Sequence, residues 1–214
     1  MRPIGVFGGT FDPIHYGHLR SALELAERLS LSQVRFVPNA DPPHRERPSA
    51  PAALRLRMVR VAIALEPGFV VDDRELQRAG PSYTVDTLAS LRADFPEPPL
   101  CLLLGMDAFA WIARWSRWTE LLELAHIVVA HRPGSGAPNE GVAGELLRER
   151  RAASVAELHA RLAGSVHVEP VTALDISSSA LRRSIRAGGD PRFLVPEAVR
   201  EIIMDTRCYA ENSD

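Results

Sequence analysis

An apolar run at residues 3–7 stops at Gly8 and Gly9, and beyond it Leu19, Ala22, Leu23, Ala26 and Leu29 recur at helical spacing. This reads as strand, glycine turn, helix. It constrains the fold because the unit returns along the chain. Residues 34–38 (VRFVP) precede a helix at about 53–65, and residues 68–73 (GFVVDD) precede one from about Val85. Residues 100–105 (LCLLLG) lead into a helix from Ala108 onward, while 127–131 (IVVAH) and 166–170 (VHVEP) flank a long helical stretch rich in arginine and glutamate. Apolar strands without alternation, separated by amphipathic helices, predict an α/β fold with a doubly wound parallel sheet covered on both faces.

Residues 38–51 hold five prolines and 132–141 are rich in glycine and turn formers, so both read as loops. Both follow predicted strands, and an open parallel sheet carries its ligand crevice at the carboxyl ends of the strands. After the last strand, SSSALRRSIRAG and PEAVREIIMDTRCY read as two short helices. The expectation is one domain over 1–214, with a core at 1–175 and the helices of 176–214 packed on it. A chain of 214 residues can bury a large core without covalent staples.

Charge excludes several classes. With 25 basic against 27 acidic residues the net charge is −2, which argues against a nucleic-acid partner held by a broad positive field. Every basic residue is arginine, so a Walker-type lysine, a Schiff-base lysine and a lysine general base are all ruled out. Two cysteines, Cys101 and Cys208, make neither a disulfide framework nor a four-thiolate zinc site. The first twenty residues lack the apolar core of a signal peptide, and no run reaches ~18 apolar residues, so a cytoplasmic chain without a membrane partner is expected.

The sharpest motif is Gly8-Gly9-Thr10-Phe11-Asp12-Pro13-Ile14-His15-Tyr16-Gly17-His18. Glycines after a strand let backbone amides approach a ligand, and the helix that follows presents N–H groups and a positive dipole end. Phosphate is the natural guest. His15 and His18 share a face of the helix's opening turn and converge on one anion, with Gly17 keeping the surface between them low. A zinc reading of H-x-x-H lacks a third cysteine or histidine nearby. Far along the chain, Ile176-Ser177-Ser178-Ser179-Ala180-Leu181-Arg182 reads as a capped helix start, and its hydroxyls, N–H groups and Arg182 suit a second phosphate region.

Together, G-G-T-F-D-P-x-H-x-G-H and I-S-S-[ST]-x-[IL]-R resemble the H-x-G-H nucleotidyltransferase superfamily. P-x-x-x-P-P-H-R at 38–45, S-Y-T-V-D-T-L at 82–88, L-G-M-D-x7-W at 104–115 and H-R-P-G at 131–134 are similar to the bacterial nicotinate-mononucleotide adenylyltransferases, and they span nearly the whole chain. Three positions depart from that pattern: Arg45 replaces the usual lysine, Ser179 the usual threonine, and Met106 a small residue.

The resemblance implies a Rossmann-like fold and transfer of AMP from ATP to nicotinate mononucleotide, with Mg²⁺ carried by ATP and no metal held by the protein. It implies ATP contacts at Gly8, Gly9, Thr10, Phe11, Gly105, Asp107, Ile176, Ser177, Ser178 and Arg182, with His15, His18, Ser178 and Arg182 catalytic. Thr84, Trp115, Ser116, Arg132, His44 and Arg45 fall to the mononucleotide, and the 38–51 loop reads as a flap. Trp111 and Trp118 read as core residues on the same helix as Trp115, and Ser116 as a helix N-cap beside the Trp115 ring. Alternatives are an adenylyltransferase for nicotinamide mononucleotide or phosphopantetheine, a non-catalytic nucleotide sensor, and a hydrolase with a metal on His15, His18 and Asp12. The residues leave the oligomeric state open.

Overall fold

The computed structural model describes residues 1–40, 48–131, 136 and 138–210. The expectations placed on His44, Arg45 and Arg132 lie outside the described residues. In chain order the elements are β1 (Ile4–Gly9), α1 (Tyr16–Arg28), β2 (Gln33–Pro38), α2 (Ala52–Ile63), β3 (Phe69–Val71), α3 (Arg74–Gln77), α4 (Thr84–Asp94) and β4 (Leu100–Gly105). There follow α5 (Met106–Ala110), α6 (Leu121–Leu124), β5 (His126–His131), α7 (Gly141–Glu149), α8 (Val155–Ala160), β6 (Val166–Pro170), α9 (Ser178–Arg186) and α10 (Glu197–Thr206).

The strands form one sheet in the order β3-β2-β1-β4-β5-β6, every pairing parallel. Successive side chains of a strand point to opposite faces, and β4 shows what that does here. Cys101 and Leu103 join a cluster with Leu25 of α1, Met58 of α2 and Ile203 of α10. Leu100, Leu102 and Leu104 join a second cluster with Leu88 of α4 and Phe109 of α5. Both faces of β4 are buried, which is why its sequence is apolar throughout. Leu181 of α9 and Val199 and Ile202 of α10 lie in the first cluster.

The strand order reverses between β1 and β4, so the chain crosses over in opposite directions from these two neighbours. Their carboxyl ends, Gly8 and Gly9 on one and Gly105 on the other, border the crevice such a switch creates. Among the described residues no helix is long and apolar enough to cross a membrane.

Local structure departs from the sequence reading in three places. The helix after β4 begins at Met106 and ends at Ala110, then gives way to 3-10 turns at Ile112–Arg114 and Trp118–Glu120. The three tryptophans therefore do not share one helix, and Trp111 is 56% exposed rather than core. Trp115 and Trp118 pack partly buried against the second cluster. Ser116 is not an N-cap: Arg117, with φ 49°, takes that place in a left-handed turn, tied by ion pairs to Asp86 and Glu120. The arginine-rich stretch before β6 is two helices, α7 and α8, because Arg151 leaves the helical path to bridge Val166.

Candidate active site

The loop from β1 to α1 is held from below. Asp12 is buried, and its carboxylate accepts from the backbone N–H groups of Ser49 (2.8 Å) and Ala50 (3.1 Å) and from the Tyr209 hydroxyl (2.7 Å). Arg55 of α2 is 1% exposed, and its guanidinium donates to the carbonyls of Thr10 (2.7 Å), Asn39 (2.8 Å), Ala40 (3.3 Å) and Ala50 (3.2 Å). Burial lowers the Arg55 pKa, the charges of Asp12 and Tyr209 opposing that shift, yet a guanidinium remains a cation at any ordinary pH. Sequence reasoning missed Arg55, since an arginine in an amphipathic helix reads as a solvent-facing side chain.

At the start of α1, His15 occupies the N-cap position and His18 lies three residues on. Their rings stack with centroids 3.7 Å apart. The backbone N–H of His15 donates to His18 Nδ1 at 3.3 Å. A ring nitrogen that accepts has no proton, so in the neutral imidazole the proton sits on Nε2, which is then a donor. Phe7 and Phe11 meet the His18 ring edge-on at 6.2 and 5.3 Å, fixing its plane. Gly17 permits a close approach: a Cβ there would stand 3.0 Å from two atoms of the His15 ring, which would have to shift, and 3.5 Å from the Ile176 carbonyl oxygen.

The start of α9 is clipped to the same loop. Ser177 caps the helix, its hydroxyl accepting from Ala180 N at 3.2 Å. The Ser178 hydroxyl donates to the Pro13 carbonyl at 3.0 Å, and Arg182 donates to the Asp12 carbonyl at 2.6 Å. Arg182 also lies 3.7 Å from Asp12 Oδ2. His15, His18, Ser178 and Arg182, widely separated in sequence, thus gather around residues 12–18. Phe11 belongs to this group through a buried ring, so only its backbone is available to a ligand.

Alongside runs a cleft of about 660 Å³ at the switch point. Gly8 and Gly9 of β1 line it with Thr10 just beyond, as do Gly105 of β4 and Asp107 of α5, together with Thr84, Trp115 and Ser116. A Cβ at Gly105 would meet Asp107 Oδ1 at 2.6 Å, so the bare glycine lets the Asp107 carboxylate fold back over the end of β4. Trp111 and Arg114 also line the cleft, the guanidinium lying 4.0 Å from the centre of the Trp111 ring. Neither was expected here, as helical spacing had assigned Trp111 to the core. Met106 is buried in the second cluster and absent from the cleft lining. Glycine turns, two helix starts, imidazoles and guanidinium groups are chemistry suited to phosphate oxygens, and the tryptophan wall offers faces for a flat ring.

Comparison with known proteins agrees with this description. The cytidylyltransferase-like family model matches residues 6–184. The chain is 50% identical over 210 residues to a probable nicotinate-nucleotide adenylyltransferase of Halorhodospira halophila, covering 98% of this chain and 96% of the relative. It is 47% identical over 215 residues to another described by the same words from Pseudomonas syringae pv. tomato, covering 100% of this chain and 96% of the relative. In fold it is similar to the nicotinic acid mononucleotide adenylyltransferase of Plasmodium falciparum complexed with NaAD. That likeness has a TM-score of 0.75 at 16% identity, with 100% of both chains covered.

Proposed function

The chain belongs to the nicotinate-nucleotide adenylyltransferases of the cytidylyltransferase-like superfamily, and we propose that it moves AMP from ATP to nicotinate mononucleotide, giving nicotinate adenine dinucleotide and pyrophosphate. One observation carries the reading. A single cleft joins a glycine-lined nucleotide cradle to a wall made of Thr84, Trp115 and Ser116, across the point where the sheet reverses.

The nucleophile is the acceptor's own phosphate, whose second pKa near ~6 leaves it ionised at neutral pH. No general base is needed. A phosphate oxygen bonds to the α-phosphorus of ATP while the bond from that phosphorus to the bridging oxygen breaks, and pyrophosphate leaves with the electron pair. The chain's task is alignment and neutralisation of charge on the equatorial and leaving oxygens. His18 Nε2–H and His15 serve the α-phosphate, and Arg182 with the first N–H groups of α9 serves the leaving pyrophosphate. Ser178 acts through its backbone, its hydroxyl being committed to Pro13. Thr10 and the Gly8-Gly9 amides cradle the triphosphate, and Asp107 takes the adenosine side. Mg²⁺ enters with ATP as part of that substrate and screens the triphosphate charge.

Trp115 stacks on the pyridine ring. Thr84 is the first residue of α4, and the opening N–H groups of a helix have no partner within it. A wall of donors, with the Arg114 cation nearby, favours the nicotinate carboxylate over an amide, whose own N–H groups would find no acceptor. We place the reaction in the cytoplasm, a reducing compartment consistent with unpaired Cys101 and Cys208. Incubation with MgATP and a panel of acceptor phosphates, followed by mass analysis, tests the assignment. The reading requires nicotinate adenine dinucleotide and stoichiometric pyrophosphate, and it fails if phosphopantetheine is adenylylated instead.

A further inference from the structure

The wall behind Thr84 contains a carboxyl group that the reaction does not use. Glu75 of α3 is 7% exposed and borders the cleft. It accepts from Thr87 Oγ1 of α4 at 2.6 Å, and the Ser82 hydroxyl lies close enough to favour its charged form. Ser82 Oγ in turn accepts from the backbone N–H of Ala40 at 3.0 Å, just beyond β2. Ala40 and Asn39 give their carbonyls to buried Arg55, which also binds the Thr10 carbonyl at 2.7 Å. A polar strut therefore runs Glu75, Ser82, Ala40, Arg55, Thr10, from the acceptor wall to the nucleotide cradle. Burial pushes the Glu75 carboxyl up, while Thr87, Ser82 and the Arg78 charge pull it back.

Resting on the adenylyltransferase reading, we propose that Glu75 is the positioning residue of the acceptor wall: by holding Ser82 and Thr87 together it sets residues 82–84 at their distance from the cradle. The Glu75 carboxyl adds a buried polar tie between α3 and the first turn of α4, where Val85 packs into the second cluster, while Arg74 of α3 bonds Ser90 and Asp94 further along α4. Removing it loosens the Ser82 end of the strut and leaves the Arg55 to Thr10 end intact. The effect falls on the acceptor, not on ATP.

The test is steady-state kinetics and thermal melting on full-length Glu75→Gln, Thr87→Val and Thr87→Ser. Glu75→Gln puts a donor where Ser82 or Thr87 donates, and Thr87→Val removes one donor at equal volume. We expect each to raise KM for nicotinate mononucleotide by about tenfold, or about 1.4 kcal/mol, while KM for ATP stays within about twofold. Thr87→Ser, which keeps the hydroxyl, should restore the acceptor KM. If Glu75→Gln does not fold, the Thr87→Val and Thr87→Ser pair decides. Parallel rises in both KM values, or an unchanged acceptor KM in folded Thr87→Val, overturn the role of Glu75 alone. A wild-type chain that makes no dinucleotide from nicotinate mononucleotide overturns the functional reading and this role with it.

Discussion

The hydroxyl of Tyr209 reaches back 197 residues to donate to Asp12 Oδ1 at 2.7 Å, in the buried floor beneath the loop that precedes α1. Asp12 also carries Arg182 on its backbone carbonyl and, at 3.7 Å, on its carboxylate. The chain beyond α10 thus steadies the loop from which the histidines project. Burial, followed by the Asp12 charge, raises the Tyr209 pKa far above its ordinary value, so the hydroxyl keeps its proton and remains a donor. Tyr209→Phe leaves a buried carboxylate one donor short and should lower stability by about 1.5–3 kcal/mol. Urea denaturation checks this, with a shifted midpoint and unchanged slope as the expected result. A midpoint equal to wild type would show that the latch contributes nothing.

His18→Ala should reduce kcat on the order of 10²–10³, the size seen for loss of one preorganised donor to developing charge. KM for ATP should move much less, because the donor acts mainly in the transition state. Gly17→Ala probes the same geometry without removing an imidazole, since its Cβ would press on the His15 ring at 3.0 Å. It should lower kcat while the protein remains folded by circular dichroism. Normal turnover in either variant contradicts the placement of the histidine pair.

Two buried groups make stability fall with acid. Burial alone would raise the Glu24 pKa, but hydrogen bonds with Thr172 and Arg20 outweigh it and hold the carboxyl down from 4.5 to about 2. Its folded value lies below its unfolded one, so its stabilisation is complete above pH 4.5 and is lost as pH falls towards 2. For His126 burial is the cause that lowers the pKa, outweighing the hydrogen bond to the Arg161 carbonyl that favours the charged ring. The folded ring gives up its proton more readily than the unfolded one, so the contribution of His126 begins to fall as pH drops below its ordinary 6.5. Melting temperature followed from pH 8 to pH 3 should decline in two stages. Glu24→Gln should flatten the lower one, and a variant curve parallel to wild type there would refute the assignment.

The sheet was legible because residues such as Leu100, Leu102 and Leu104 face one layer while Cys101 and Leu103 face the other, and burial on both sides leaves unbroken apolar runs. The Gly8 to His18 turn was legible because glycine, proline and a histidine pair act locally. The tryptophan segment was not, since residues 106–120 are shaped by tertiary contacts. Arg117 adopts φ 49° with its guanidinium held by Asp86, a partner in another element. Arg55 and Glu75 escaped for a related reason: charged side chains read as solvated until their partners, carbonyls for one and hydroxyls for the other, are known. Met106 departs from the family pattern at a core position, where it fills space.

The choice of acceptor tests the central claim most directly. Nicotinate mononucleotide and nicotinamide mononucleotide differ only in a carboxylate against an amide, which the proposed stacking on Trp115 would treat alike. The donors proposed at the start of α4 would not, since each amide N–H left without an acceptor costs about 1–3 kcal/mol. Measured at one fixed concentration of MgATP, kcat/KM should favour the acid by at least about tenfold. Equal efficiencies, or a preference for the amide, would contradict the account.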